Sequence, residues 1–445
     1  MIWVIPITMI LLANVVYQFL LNLMRIASVF VAFEPKQSSK FLRGLYGRKD
    51  AYRRLRKWGE NSRNPDIPTF WIHVSSVGEL LQARTVAQCL RKRMGDIQIV
   101  LTFFSSSAEK PATTFPSDVN TYLPWDLSGD MADLLEVLSP IAILFTQREV
   151  WPNLNWQAKI RGIPTILVAG TLPKYSKKLR WPWCVYTNLT IAQVSAIGAI
   201  SKNDGKRFER LGFDNELIEV TGDPGVDAVH ERCNYSNERG PNLDLSVFEG
   251  SLIVAGSTWG ADEEILLSAL VDIRSVRLEA KMIIVPHEVF PTNIQRLTKR
   301  CMDRGLDVVQ FSSLSRETKN IGDVLVVDRM GILPDLYTFA AISYVGGGFG
   351  NKGLHSVLEP VAAGRPVLFG PNYKNSSAAC HLLEMGVARV VLNAEMITQV
   401  VTEHFSDSAV LLKASRNALG YIDANRGATD KTIDLICNVL KTFNR

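Results

Sequence analysis

From Pro68 onward, short apolar runs alternate with longer stretches in which apolar residues recur at helical spacing. The first runs are Phe70–Val74, Ile97–Phe103, Ile141–Phe145, Pro164–Ala169 and Ala196–Ile200. Glu79–Arg93 and Asp130–Leu138 read as helices between them. This rhythm predicts a parallel sheet with crossover helices. It breaks between Thr221 and Leu245, where Gly222-Asp223-Pro224-Gly225 precedes a polar stretch with Gly240-Pro241. An interdomain linker is expected there. A second series follows: Leu252–Ala255, Met282–Val285, Val308–Phe311, Val324–Val327, Ile342–Val345 and Pro366–Phe369. The pattern therefore predicts two Rossmann-like α/β domains with parallel sheets, at residues 67–230 and 231–425, and a C-terminal helix at 426–445.

The region before Pro68 is different. Met1 to Met24 carries no charged side chain, and after Arg25 the run Ile26–Phe33 is uncharged again. About 20 apolar helical residues cover roughly 30 Å, the thickness of a bilayer core. Residues 1–33 are expected to anchor the chain in a membrane, either spanning it or lying in its interface. A cleaved signal peptide fits less well, since no basic stretch precedes the apolar run. Residues 34–66 form a basic membrane-proximal segment.

Charge sharpens that division. The 445 residues carry a net charge of +5, yet Lys36 to Lys57 holds nine basic residues and one acid, which leaves −3 for the rest. A basic nucleic-acid-binding body is excluded. Arg43, Arg48, Lys49, Arg53 and Arg54 are expected to meet an anionic leaflet, with the body on the cytoplasmic side. The six cysteines form no CxxC pair, so neither a zinc ribbon nor a disulfide framework is indicated. The scattered histidines show no HExxH spacing, and no bound metal or other cofactor is expected.

Three constellations follow predicted strands, where open α/β sheets bind ligands. The first is Trp71-Ile-His73-Val-Ser75-Ser76-Val-Gly78-Glu79. Small residues admit a ligand to the backbone, a helix start attracts an anion, and Glu79 can take a proton from a hydroxyl. The second is Gln147-Arg148-Glu149-Val-Trp151-Pro152-Asn153, which brings a second carboxylate to a strand end. Arg148 and Glu149 also suit a structural ion pair.

The third runs from Gly346 to Pro360. Gly348, Gly350 and Gly353 match GxGxxG, but residues 368–383 contain no acid, so a dinucleotide site is not supported. A glycine turn cradling phosphate at a helix start remains, with His355 and Glu359 on one helix face. Gly256-Ser257-Thr258-Trp259, Pro286-His287-Glu288 and Gly370–Lys374 are supporting loops.

Together these motifs resemble the 3-deoxy-D-manno-octulosonic acid (Kdo) transferases of lipopolysaccharide synthesis, glycosyltransferases of family 30. Their S-V-G-E is Ser76-Val-Gly78-Glu79, and the second half of E-x-E-L-W-P-N is Glu149-Val-Trp151-Pro152-Asn153. R-G-I-P is Arg161–Pro164, and V-T-G-N becomes Val220-Thr-Gly222-Asp223. A-S-T-H-x-G-E-E becomes Gly256–Glu264, D-x-M-G-E-L-x-x-x-Y becomes Asp328–Tyr337, and G-G-H-N-x-L-E-P ends as Gly353-Leu-His355-Ser356-Val-Leu-Glu359-Pro360.

The resemblance implies a GT-B fold, with two Rossmann-like domains facing a central cleft. It implies CMP-Kdo as donor and a lipid A precursor as acceptor at the bacterial inner membrane. Glu79 matches the family's general base and Glu149 a second needed carboxylate. Ser75, Ser76, Gly78 and Arg148 fall on the acceptor side. Ser257, Thr258, Pro286, His287, Met330, Gly331, Gly348, Gly350, Gly353, His355, Ser356 and Glu359 fall on the CMP side. The chain departs from the pattern where Gln147 replaces the first Glu of E-x-E, where Thr171-Leu-Pro173 and Pro286-His287 lack an expected Arg, and where Ser356 replaces Asn. Two other readings stay open on sequence grounds: a GT-B transferase or epimerase using a UDP-sugar, and a catalytically silent membrane-surface module.

Overall fold

The computed structural model describes residues 7–29, 40–174, 176–180, 184, 187, 190–191, 193–239, 251–277, 279–314, 320–374 and 376–443. The chain forms two compact units, Met1–Asp227 with Arg426–Arg445, and Ala228–Asn425.

The first unit contains β1 (Thr69–Val74), β2 (Gln98–Phe103), β3 (Val119–Tyr122), β4 (Ala142–Thr146), β5 (Thr165–Gly170), β6 (Ala196–Ala199) and β7 (Ile218–Val220). They lie in the order β3-β2-β1-β4-β5-β6-β7, and every pair is parallel. β1 and β2 are buried at every residue, which is why they read as unbroken apolar runs. Their alternation feeds two cores. Phe70, Ile72 and Val74 pack on one face and Trp71 on the other.

The sequence pattern did not reveal β3, β7 or, in the second unit, the strand Ala388–Val390. All are three or four residues long and stand at or next to a sheet edge, where little apolar patterning is required.

The C-terminal helix Ala428–Phe443 belongs to this first unit. Ile433, Ile436 and Leu440 join the core that holds β1. Its start is fixed by Asp227, whose carboxylate accepts from the Gly427 and Thr429 N–H groups at 2.8 and 2.7 Å.

Helix α1 (Ile7–Val29) is followed by α2 (Lys40–Arg48) and α3 (Ala51–Asn61). Among the described residues, no helix is long and apolar enough to cross a membrane. The described residues therefore do not support the spanning form of the expected anchor. The Tyr17 hydroxyl donates to Asp126 at 2.9 Å and Arg25 pairs with Asp130 at 3.3 Å, so both points hold α1 along the first unit. Leu21 and Ser28 are buried on that side. Val15, Val16, Phe19, Leu20, Leu23, Met24 and Ile26 are exposed.

The basic segment also needs one correction. Arg48 is 7% exposed and does not face a leaflet. Its guanidinium donates to the carbonyls of Gly44 and Phe104, each at 2.8 Å, and lies 4.2 Å from the Phe104 ring centre. Lys49, Arg53 and Arg54 are exposed, and Arg43 sits 3.6 Å from Glu109.

The second unit contains β8 (Leu252–Thr258), β9 (Lys281–Pro286), β10 (Val308–Gln310), β11 (Val324–Val326), β12 (Ile342–Val345), β13 (Val367–Phe369) and β14 (Ala388–Val390). Their order is β10-β11-β9-β8-β12-β13-β14, again parallel throughout. Each sheet thus has one switch point, between β1 and β4 in the first unit and between β8 and β12 in the second.

Candidate active site

At a switch point, the loops after two neighbouring strands run to opposite sides of the sheet and leave a crevice at their carboxyl ends. In the first unit these loops are Ser75–Ser76, which leads into α4 (Val77–Met94), and Gln147–Trp151, which leads into the helix Pro152–Ile160.

Ser76 caps α4, with its hydroxyl accepting the Glu79 N–H at 3.4 Å. The Glu79 carboxylate turns back and accepts the Ser75 N–H at 2.5 Å. The side chain is therefore held over the end of β1 and is only 6% exposed. Burial pushes its pKa from 4.5 up to about 7. The Ser75 N–H opposes that rise, the Glu149 charge adds to it, and Arg148 and Lys178 oppose it. The Ser75 hydroxyl is buried with no partner.

Gln147 turns the chain after β4 with a positive φ of 60°. Its amide donates to Gln82 at 2.9 Å, and Gln82 donates to half-buried Asp223 at 2.7 Å. This relay stands where the family pattern has its first Glu. It ties the β4 loop to α4 and to the segment after β7. Glu149 lies 3.7 Å from the Lys178 ammonium, which also donates to the Arg148 carbonyl at 2.8 Å. Lys178 thus clamps the Arg148–Glu149 loop. Burial lowers its pKa, and Glu149 opposes that.

Trp151 donates its indole N–H to His73 Nε2 at 2.8 Å. The other His73 nitrogen lies 3.0 Å from the Thr102 hydroxyl. Burial, aided by Arg48, drives the His73 pKa down to about 3. His73 is a neutral strut that orients Trp151, not an acid or base.

In the second unit the switch point gathers Ser257, Thr258 and the loop after β12. Gly347 has φ +93°, and a Cβ there would lie 2.1 Å from the Gly353 carbonyl oxygen. A Cβ on Gly348 would lie 2.5 Å from the Gly370 nitrogen. Only glycine lets these backbones approach so closely. Gly350 is not under such constraint.

Ser257 has a positive φ of 53°, and the Thr258 hydroxyl is buried without a partner. Asp262 is fully buried and binds this loop, accepting from the N–H groups of Gly347 at 3.0 Å and Trp259 at 2.9 Å. Three rings cluster beside it: Trp259 is tilted against His287 at 4.7 Å, and His287 stacks on His355 at 4.2 Å between centres. Trp259 also donates to His355 Nε2 at 3.0 Å. Lys352 lies 5.4 Å from the Trp259 ring centre.

Here the expected helix start is corrected. His355 lies in a segment without regular secondary structure, and the helix is only Leu358–Ala362. His355 and Glu359 therefore do not share a helix face. The five-residue helix gives no anion site of its own. Burial raises the Glu359 pKa, and Arg232 opposes that rise. Pro286 ends β9 beside this loop, paired with Thr258. Ser356 is exposed, as is Met330 at 73%, and the Gly331 carbonyl accepts from Arg232 at 2.9 Å.

Within the first unit the structure brings Ser75, Ser76, Gly78, Glu79, Arg148 and Glu149 to one crevice. Lys178, Gln82, Gln147, Asp223 and His73 complete the surroundings, and sequence reasoning assigned none of them a role. Only the strand-end position of Gln147 and His73 hinted at them. Lys178 and Asp223 arrive through the tertiary fold.

Two doubly wound parallel-sheet domains, each with loops gathered at its switch point, are consistent with the GT-B fold. The chain matches the solved UDP-GlcNAc 2-epimerase from Neisseria meningitidis bound to UDP-GlcNAc, with a TM-score of 0.60 and 15% identity, over 83% of this chain and 100% of that one. A putative UDP-N-acetylglucosamine 2-epimerase from Listeria monocytogenes matches with a TM-score of 0.60 and 12% identity, over 83% and 96%. These likenesses are of fold.

The sequence relatives are more particular. The profile described as 3-deoxy-D-manno-octulosonic-acid transferase (kdotransferase) matches residues 48–228. Proteins named 3-deoxy-D-manno-octulosonic acid transferase are 29% identical in Aquifex aeolicus, over 76% of this chain and 86% of that one. In Haemophilus influenzae the identity is 26%, over 84% and 88%, and in Rickettsia felis 26%, over 83% and 79%. The chain is thus similar to the Kdo transferases over most of its length.

Proposed function

We propose that this enzyme transfers Kdo from CMP-Kdo to a hydroxyl of a lipid A precursor, with inversion at the anomeric carbon and without a resident metal. One observation carries the mechanism: Glu79, poised near pH 7, sits with Glu149 at the switch point of the first sheet. Half-ionised near neutrality, Glu79 suits a general base. It takes the acceptor hydroxyl proton as that oxygen bonds to the anomeric carbon. The bond from that carbon to the CMP phosphate oxygen breaks, and CMP leaves with the electron pair.

Lys178 holds the Glu149 loop beside that event. Ser75 supplies an unpaired hydroxyl to a bound sugar. On the donor side, Asp262 holds the Gly347 N–H and so fixes the turn, and the close backbone at Gly348 forms the cradle for phosphate. Ser257 and Thr258, with the His287–His355 stack, flank that turn. Glu359 is the carboxylate for ribose hydroxyls. Met330 and Gly331, Gly350 and Gly353, and Ser356 edge the same loops.

The exposed apolar side of α1, next to Lys49, Arg53 and Arg54, favours a body held at the cytoplasmic leaflet of an inner membrane. Incubation with CMP-Kdo and a lipid A precursor tests the reaction. The expected result is CMP release and a lipid heavier by one or more Kdo residues. Turnover of a UDP-sugar with no Kdo-bearing lipid would refute it.

A further inference from the structure

A cavity of about 150 Å³ opens beneath α1, lined by Arg25, Ser28, Arg48, Lys49, Tyr52, Arg53, Pro124, Trp125 and Asp130. Its lining carries four cations and one carboxylate, and includes neither Glu79 nor Glu149. Two features are unusual. Arg48 is buried, and no acidic side chain is paired with it among the described residues; its hydrogen bonds go to two carbonyls. A buried cation without a counter-charge is costly. The Trp125 indole N–H is also buried and finds no acceptor. A buried donor left unpaired loses its hydrogen bonds to water without replacement. One acceptor-rich anion would answer both deficits.

The cavity has room for about five waters by liquid volume. That suits a phosphate with its ester linkage, not a pair of sugar rings. On the adjoining flank of α1, Leu20 and Met24 are exposed. A ligand with a phosphate in the cavity and hydrocarbon along α1 would cover both surfaces.

We propose that this cavity binds the phosphate of an anionic glycerophospholipid, whose acyl chains lie along the exposed face of α1. The site rests on the leaflet-facing reading of α1, and is independent of the transfer reaction. It is more selective than a diffuse basic collar, because it needs particular donors.

The test is calorimetric binding of short-chain dihexanoylphosphatidylglycerol below its micelle concentration to the full chain. Dihexanoylphosphatidylcholine and inorganic phosphate are the comparison probes. The expected order is phosphatidylglycerol tightest, with phosphate weaker and competing for the same site. The Arg25→Gln/Lys49→Gln double variant should lose at least tenfold in affinity for the phosphatidylglycerol. Arg43→Gln/Arg54→Gln removes the same charge away from the cavity and should lose less than threefold. Trp125→Phe, which removes the N–H and keeps an aromatic ring, should lose severalfold while its circular dichroism and unfolding transition persist.

Equal losses in the two double variants, equal affinity for the two lipids, or no binding of the phosphatidylglycerol would each overturn the site. Partition onto phosphatidylglycerol vesicles, measured separately, reports on the leaflet reading. Vesicle binding without binding of the short-chain lipid refutes the cavity and leaves that reading standing.

Discussion

Replacing Glu79 by Gln should separate stability from turnover. The folded enzyme raises the Glu79 pKa from 4.5 to about 7, chiefly by burial. The folded state therefore binds this proton more tightly than the unfolded chain does. Below about pH 4.5 the group is protonated in both states and the ionisation costs nothing. Between 4.5 and 7 the unfolded chain loses its proton first, and folding becomes less favourable. Above 7 the full penalty of about 3 kcal/mol applies.

Glutamine carries no charge, and its amide oxygen can still accept the Ser75 N–H. Relative to wild type, Glu79→Gln should gain roughly 1–3 kcal/mol on going from pH 5 to pH 8. Turnover should fall about 10²–10⁴-fold. Urea unfolding of both proteins at the two pH values, beside a CMP-release assay, reads both quantities. A stability difference independent of pH would refute the buried-carboxylate reasoning. Near-normal turnover by the variant would remove Glu79 as the base.

Lys178→Met should shift the acid limb of the pH–rate profile to higher pH, because the Lys178 charge favours the ionised form of Glu79. Roughly threefold or greater loss is expected at pH 6.5, less at pH 9, with recovery in Lys178→Arg; a uniform loss at all pH values would count against the clamp. Gly348→Ala would drive a methyl into the Gly370 backbone, so stability should drop by about 1–3 kcal/mol and CMP should no longer raise Tm. An unchanged CMP response would argue against the glycine turn as the phosphate cradle. Asp227→Ala removes the acceptor for the Gly427 and Thr429 N–H groups. About 1–2 kcal/mol of stability should go with it, and proteolysis should reach the C-terminal helix first; unaltered protection would refute that docking.

Much of the architecture was legible along the chain. Central strands such as β1 and β12 are buried throughout, so their apolar runs stand out. β3, β7 and β14 stayed hidden because short strands at or beside an edge need few apolar residues. The two carboxylates were legible because each follows a central strand directly. Their surroundings were not, since Lys178 pairs with Glu149, and Gln82 and Asp223 reach Gln147 as a relay, from positions distant in sequence. Arg48 was misplaced for the opposite reason. Its neighbours in sequence are basic and exposed, while its own side chain turns inward onto Phe104.

By itself, then, the sequence determined two parallel α/β domains, the strand-end loops carrying Glu79 and Glu149, and a family resemblance through short ordered motifs. These are local properties, set by side-chain periodicity and by which residues adjoin a strand end. The tertiary structure decided the strand order, and with it the β1–β4 switch point that puts both carboxylates in one crevice. It also decided the burial that lifts Glu79 to about 7, the docking of α1 along the first unit, and the uncompensated Arg48. Burial and pairing depend on groups distant along the chain, so no local pattern could have set them.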